Sequence, residues 1–500
     1  MRNPFWHNLK ATSRVVFHLN PYEKKIFQVI REASESLGIK SYVVGGFVRD
    51  KFLGRSSPDI DIVTVGNGIN LAHEVAGRLY PIPRVSFFQR FGTAQIIHGD
   101  LNIEFVGARK ESYREDSRKP LVEDGTLEDD LRRRDFTVNA MAFSLNEDDF
   151  GQIIDLFDGM RHLEQKVIKT PLEPERTFSD DPLRMLRAIR FANQLEYEID
   201  PVTYQGIIQS ASRLSIISME RILGELEKIM TCDHPSVGFK LLNQTGLLKQ
   251  FLPEITALEG VEIVEGKGHK DNFYHTLMVL DNTCAKSENI WLRWAALFHD
   301  IGKPATKRFN GKQGWSFHGH DLLGASMLPR IFKRLRLPTD HRLKYVQNLV
   351  RLHLRPISLT KEEITDSAIR RVLFEAGEDI DDLMVLCEAD ITSKRPDKVK
   401  NILDNYQIVR SKMIEIEEKD RLRNWQPPID GEEIMATFGL APSLQVGILK
   451  TAIREAILDG KIENNYVQAR ELLIEEASKM NLKPLSTFTG INNKSESNKP

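Results

Sequence analysis

Asp59 and Asp61 stand two residues apart in the run Asp59-Ile60-Asp61-Ile62-Val63. On an extended strand alternate residues share a face, so this spacing predicts two carboxylates side by side, with Ile60 and Ile62 in a core. Paired carboxylates suit Mg²⁺, which takes oxygen ligands and is commonly shared with substrate phosphates. Upstream, Tyr42-Val43-Val44 reads as a buried strand that stops at Gly45-Gly46, and Phe47 to Leu53 as a helix carrying Arg49. Two glycines between strand and helix let the backbone approach a ligand, and the helix start offers unpaired N–H groups. That arrangement predicts a phosphate cradle at Gly45 and Gly46, with Arg49 as a charged donor. A glycine pair alone is often a tight corner, and a lone D-x-D is often a solvated face. Their conjunction at this distance points to nucleotidyl transfer.

A second constellation lies in the other half of the chain. His275 falls on a helical stretch, Trp291 to Phe298 form an apolar helix that runs into His299-Asp300, and Asp390 lies in a further helical stretch. Adjacent side chains on a helix differ by about 100°, so His299 and Asp300 can converge on one ion. With His275 and Asp390 they offer mixed nitrogen and oxygen ligands, suited to Mn, Fe, Co, Ni or Zn rather than Ca. His318, His320 and His353 are further candidates for a second ion or a phosphate. The bland alternative is an idle site inside an RNA-binding body.

These groups need elements to hold them. At 500 residues the chain exceeds a single core, and roughly two to four domains are expected. The boundaries read as 1–40 for a tail and amphipathic helix closed by Gly38, 41–170 for a strand-bearing segment, and 171–260 for helices. They continue as 261–400 for the histidine-rich part, 401–485 for a helical tail, and 486–500 as disordered. No apolar run is long enough to span a bilayer, the first residues lack a signal-peptide core, and Cys232, Cys284 and Cys387 are scattered. A cytoplasmic protein without membrane contact is expected. With 69 basic against 71 acidic residues, any RNA contact must come from local patches such as Arg132-Arg133-Arg134 or Arg330 to Arg336.

Within the strand-bearing segment, a helix is expected at Asn70–Leu79, and strands at Thr93–Ile97 and Asn102–Val106. Glu104 is either a third carboxylate at the metal site or a solvated residue, depending on strand register. Ser112 to Asp130 is polar and rich in turn formers, so a mobile loop is expected. At least one of Arg132 to Arg134 is expected to point inward. Asp180-Asp181-Pro182 reads as a helix start, followed by Arg184, Arg187 and Arg190 along one face. With no acidic residue at i+4, these arginines favour an anionic ligand over a solvated stripe.

Tyr42–Asp61, Arg133–Ala142, Asp155–Gly159 and Asp180–Arg190, followed by Ser218 to Met230, resemble in order the class II tRNA nucleotidyltransferases and the related bacterial poly(A) polymerases. The resemblance implies an α+β protein: a polymerase-β-like head with a mixed sheet, then an all-α neck, body and helical tail. It implies Mg²⁺ on Asp59 and Asp61, triphosphate on Gly45, Gly46, Arg49 and Arg134, and base choice by Asp181 and Arg184. Asp135, Asn139, Arg187 and Arg190 join the nucleotide-binding set. ATP and CTP are the implied substrates and tRNA the implied partner. Two departures stand out: Asp180 where the family has glutamate, and His162 where it has aspartate. The set His275, His299-Asp300, Asp390 resembles the HD superfamily of metal-dependent phosphohydrolases. The expected activity is untemplated addition of CMP, CMP and AMP, with hydrolysis at the second site. Poly(A) synthesis, addition of CC or A alone, and an enzyme that is chiefly a phosphohydrolase remain the alternatives.

Overall fold

The computed structural model describes residues 18–89, 92–114, 117–359, 365–392, 396–420 and 426–485. The expected N-terminal tail and the expected disorder of 486–500 lie outside them. The chain divides into two units, Met1–Thr256 and Ala257–Pro500. Mixed sheet and helices share the first and helices dominate the second, giving the α+β class.

The first unit opens with α1 (Pro21–Ser36). Asn20 caps it by accepting the Glu23 N–H at 2.8 Å, while the Glu23 carboxylate accepts the Asn20 N–H at 2.9 Å. Then come β1 (Lys40–Val44), α2 (Gly46–Phe52), β2 (Asp59–Val65), α3 (Gly68–Arg78), β3 (Val85–Phe88), β4 (Thr93–His98) and β5 (Leu101–Gly107). β6 (Arg109–Arg114), β7 (Ser117–Asp124), α4 (Leu127–Arg132), β8 (Met141–Ser144) and β9 (Ile153–Asp155) follow. Seven of these strands form one sheet in the order β3-β4-β5-β2-β1-β8-β9. β2 and β5 run parallel and every other neighbouring pair antiparallel. The register puts Asp61 opposite Val44 on one side and Glu104 on the other. Ile60 and Ile62 are fully buried, as the alternation requires. On the opposite face Val63 packs with Tyr42, Val44, Leu131 and Ala142, so the acidic face of β2 runs directly into a core.

The stretch 112–130 differs from its expectation. β6 and β7 pair as an antiparallel two-stranded ribbon, and α4 follows it. Polar composition reports exposure to water, but ladder hydrogen bonds are made by the backbone, which any side chain permits. Beyond the sheet lie α5 (Leu183–Leu195) and α6 (Met219–Met230).

In the second unit the elements used below are α7 (Asn272–Cys284), α8 (Ile290–Phe298), α9 (His320–Leu335), α10 (His341–Leu352) and α11 (Ile380–Ala389). A long helix spans Pro396–Asp420, and the tail consists of helices Gly431–Phe438, Leu444–Leu458 and Tyr466–Lys479. Arg371 ties the tail to this unit through Glu455 and, at 2.6 Å, Asp459. No helix among the described residues is long and apolar enough to cross a membrane.

Candidate nucleotidyl-transfer and metal sites

The turn from β1 into α2 requires glycine. Gly45 has φ 75°, and a Cβ there would lie 2.9 Å from the Arg134 Nη1 and 3.0 Å from the Asp61 Oδ2. The same numbers show how closely the guanidinium and the carboxylate crowd this backbone. Among the described residues no side chain caps α2, which leaves its first N–H groups without a capping partner next to the Arg134 and Asp61 side chains at Gly45.

Three carboxylates share this edge of the sheet. Asp59 and Asp61 project from one face of β2, and Glu104 sits beside Asp61 on β5. Asp59 accepts a 2.9 Å bond from the Asn102 amide, whose oxygen accepts Gln95 at 2.6 Å. Burial is the largest influence on Asp61 and raises its pKa; Arg134 opposes it, and Asp59 and Asp130 add to it. Glu104 is raised as well, by lost hydration first and then by Asp61. Asp61 and Glu104, pushed toward protonation by burial first and by neighbouring carboxylates second, stand with Asp59 as a donor set that a divalent cation would relieve.

The arginines turn out to be anchored. Fully buried Asp130 grips both Arg133 and Arg134, the latter through Nε and Nη2 at 3.1 and 3.0 Å. Arg133 and Arg134 thus both point inward to Asp130, while Arg132 pairs outside with Glu128. Arg49 is buried rather than free in the cradle: it donates to Asn139 at 2.8 Å and to Asp50 at 2.9 and 3.0 Å.

The arginine helix needs a correction. α5 does lack i+4 acids, yet acids reach it from other elements. Arg187 pairs with Asp135 at 2.6 Å, and Arg190 with Glu225 of α6 at 2.7 Å. Phe191 lies among the guanidiniums of Arg190, Arg49 and Arg187, at 3.9, 5.0 and 5.4 Å from its centroid. Burial would raise the Asp135 carboxyl, but Arg187 and the Asn139 amide outweigh it and lower its pKa to about 2. Asp181 accepts the Leu183 N–H at 3.1 Å, and its other oxygen takes Arg221 at 2.7 Å. The expected start, acid at the cap and proline first in the helix, is shifted by one residue: α5 begins at Leu183 with Pro182 at the N-cap position and no side-chain capping bond, because Asp181 closes the preceding helix Pro174–Asp180. Arg184 donates to the Arg133 carbonyl at 2.6 Å and the Thr177 carbonyl at 3.4 Å. Arg221 and Glu225 were invisible as partners, because α6 is about 40 residues from the groups it meets. Asp130 was legible, lying three and four residues before the arginines it holds.

In the second unit the histidines gather at helix ends. His275 of α7 lies 2.9 Å from Asp390 and 3.6 Å from Asp300. His299 Nε2 lies 3.2 Å from Asp300, which also faces His320 at 3.3 Å and His353 at 4.0 Å. Two three-residue groups result, His275-His299-Asp300 and Asp300-His320-His353, with Asp300 common to both. His318 is exposed and outside the cluster, so it drops from the candidates. The ring Nδ1 of His299, His320 and His353 each meets the carbonyl three residues earlier, at 2.8, 2.7 and 2.6 Å. That carbonyl needs a ring N–H, which leaves Nε2 as the lone-pair nitrogen. Among the described residues, all three Nε2 atoms are buried without a hydrogen-bond partner. Buried orphan acceptors converging on a buried carboxylate fit a transition-metal ion. Burial pushes His353 down to about 4, whereas Asp300 overrides burial to raise His299. Lys303, unremarked in the sequence, reaches Asp300 at 2.6 Å.

Comparison with known proteins bears on both units. The domain described as "Poly A polymerase head domain" matches residues 41–169, "Probable RNA and SrmB- binding site of polymerase A" matches 196–259, and "HD domain" matches 272–394. An A-adding tRNA nucleotidyltransferase of Deinococcus radiodurans is 31% identical over 433 residues, covering 84% of this chain and 92% of that protein. A multifunctional CCA protein of Shewanella frigidimarina is 33% identical over 324 residues, 61% of this chain and 71% of that one. In fold, the chain is similar to the Thermotoga maritima CCA-adding enzyme solved with tRNA, with a TM-score of 0.58 at 21% identity, covering 92% of this chain and 96% of that one.

Proposed function

We propose that this chain, which belongs to the tRNA nucleotidyltransferase and poly(A) polymerase family and is a nucleotidyltransferase, adds CMP, CMP and AMP to tRNA 3′ ends without a nucleic-acid template. The observation that carries the reading is the row of Asp59, Asp61 and Glu104 beside Arg134 at the Gly45 turn. Asp59 and Asp61 would hold Mg²⁺, which supplies charge neutralisation for the triphosphate and eases deprotonation of the attacking hydroxyl. The open N–H groups of α2 and the Arg134 guanidinium bind phosphate oxygens. Arg49, held by Asn139 and Asp50, stiffens the wall behind them.

Asp181 and Arg184 select the base. Cytosine and adenine each present an amine donor beside a ring-nitrogen acceptor, which a carboxylate and a guanidinium complement. Uracil and guanine present the reverse and would leave both charges unpaired. Arg187 and Arg190, already matched by Asp135 and Glu225, hold α5 in place for that reading. The tail helices of 401–485 are assigned to tRNA binding.

The histidine cluster is assigned a divalent transition metal on His275, His299, Asp300 and Asp390, with His320 and His353 on the far side of Asp300. When bound there, such an ion would supply Lewis acidity toward a water molecule and a phosphate ester, and the activity assigned is phosphate-ester hydrolysis. The orphaned Nε2 atoms support this reading.

A second reading has specific support: the relative from Deinococcus radiodurans is named A-adding. One experiment separates them. tRNA ending before CCA and tRNA ending in CC are each offered CTP, ATP, or both, and products are sequenced. Completion of CCA on the shorter tRNA establishes the first reading. Extension of the CC-ended tRNA alone establishes A addition, an open-ended A tail establishes poly(A) synthesis, and no extension of either tRNA refutes all three.

A further inference from the structure

The four histidines of the second unit's cluster are not held alike. For His299, His320 and His353 the carbonyl three residues back lies in a helix's last turn or ahead of its first, where no intrahelical N–H claims it, and each Nδ1 meets that carbonyl. His275 is the fourth residue of α7. The carbonyl three residues before it belongs to Asn272, inside the helix, and faces the Thr276 amide. The backbone of α7 therefore has no free carbonyl to offer this ring. Its Nδ1 instead meets the Thr392 hydroxyl at 2.9 Å, across 117 residues of chain.

Thr392 stands two residues past Asp390, so one short stretch of chain holds both ring nitrogens of His275. Nε2 lies 2.9 Å from the Asp390 carboxylate while Nδ1 rests on Thr392. That stretch is tied to α7 on either side. Lys270, just ahead of α7, donates to the Thr392 carbonyl at 2.8 Å, and Asn282 of α7 donates to the Ala389 carbonyl at 3.0 Å. Ile391 between them is buried. For Nε2 to offer its lone pair beside His299 and Asp300, the ring proton must sit on Nδ1, and an N–H shut away from water needs an acceptor. A hydroxyl oxygen supplies one, because its own hydrogen can rotate aside.

We propose that Thr392 is a positioning residue for the metal centre: its hydroxyl accepts the Nδ1–H of His275 and so fixes the tautomer and the aim of that ring. The proposal rests on the reading of the cluster as a metal site. It makes the two groups that share Asp300 unequal. In Asp300-His320-His353 both rings are aimed by main-chain carbonyls, which no side-chain substitution removes. In His275-His299-Asp300 one ring depends on a single hydroxyl. Without that hydroxyl the ligating tautomer carries an unpaired N–H, and loss of such an outer hydrogen bond costs roughly 10- to 100-fold in metal affinity.

Three variants of the full-length protein test this. Thr392→Val keeps the branched shape without the hydroxyl, Thr392→Ser keeps the hydroxyl without the branch, and Asn282→Ala loosens the same stretch without touching the ring. Each is stripped of metal and titrated with Co²⁺ against a chromophoric chelator. Thr392→Val is expected to weaken Co²⁺ binding by about tenfold or more, with Thr392→Ser and Asn282→Ala within about threefold of wild type. Thermal unfolding of the metal-free variants should shift by less than about 2 °C, which keeps the comparison one of binding. Undiminished Co²⁺ affinity in Thr392→Val overturns the role of Thr392 and leaves the metal reading standing, whereas failure of the wild-type protein to bind Co²⁺ overturns both. A loss in Thr392→Ser or Asn282→Ala as large as in Thr392→Val also overturns the proposal, since packing of the stretch and not the hydroxyl would then carry the effect.

Discussion

The two candidate metal centres are built in opposite ways. In the first unit, oxygen donors stand on neighbouring strands at a sheet edge, with Asp59 and Glu104 exposed and Asp61 half-buried. In the second, nitrogen and oxygen donors come from the ends of separate helices, and His299, Asp300 and His353 are buried to about 1% exposure. An open carboxylate row suits a hard cation that arrives with substrate phosphates. A closed histidine shell whose lone pairs have no alternative partner suits a resident ion. The contrast teaches that exposure of the donors, as much as their identity, separates a shared metal from a kept one.

The contrast is sharpest under direct substitution. Asp59→Ala with Asp61→Ala should reduce tRNA extension by about 10³-fold or more, as for removal of groups acting in the transition state. Metal content of the second unit, read by elemental analysis, should stay unchanged; extension near the wild-type rate would break the assignment. Asp300→Ala should do the converse. Loss of the shared carboxylate is expected to weaken metal retention on the order of 100-fold, leaving extension within about twofold. A folded variant that keeps its metal would end the second half of the comparison.

The ion pair between Asp135 and Arg187 of α5 gives a stability test. The Asp135 carboxyl has a folded pKa of about 2, against an ordinary value of 3.8. Its pairing with Arg187 therefore contributes above pH ~4 and is lost as pH falls through ~2, for about 2 kcal/mol in all. Asp135→Asn should lower unfolding free energy in urea by that order at pH 7, with the gap to wild type narrowing below pH ~4. A gap independent of pH would assign the effect to packing. The smallest effect expected is on fidelity. Arg184→Ala should raise misincorporation of UMP or GMP about tenfold while KM for ATP changes less; unchanged preference would remove Arg184 from base reading.

The sequence was most readable where chemistry and local geometry coincide. The D-x-D strand, the Gly45 turn and the helices leading to His299 and Asp390 follow from period and cap signals within a few residues. Glu104 illustrates the limit. Its side was legible from alternation, but its neighbour was not, because Glu104 pairs with Asp61 on a strand far back in the sequence. The pairings Arg190–Glu225 and Asp181–Arg221 were hidden for the same reason. The ribbon of β6 and β7 was missed differently, since its polar residues carry no burial signal. His318 and His320 differ only in that α9 begins at His320, which turns one ring inward and leaves the other in water.

The carbonyl contacts of His299, His320 and His353 carry one more consequence. Each ring is aimed by its own turn of backbone, so these three depend on where α8 and α10 stop and α9 starts rather than on a surrounding scaffold of side chains. Inserting a single residue into α10 would swing His353 through about 100°. Such a length change would disarm the centre more surely than many substitutions around it, and its first symptom would be a missing ion in a protein that still folds.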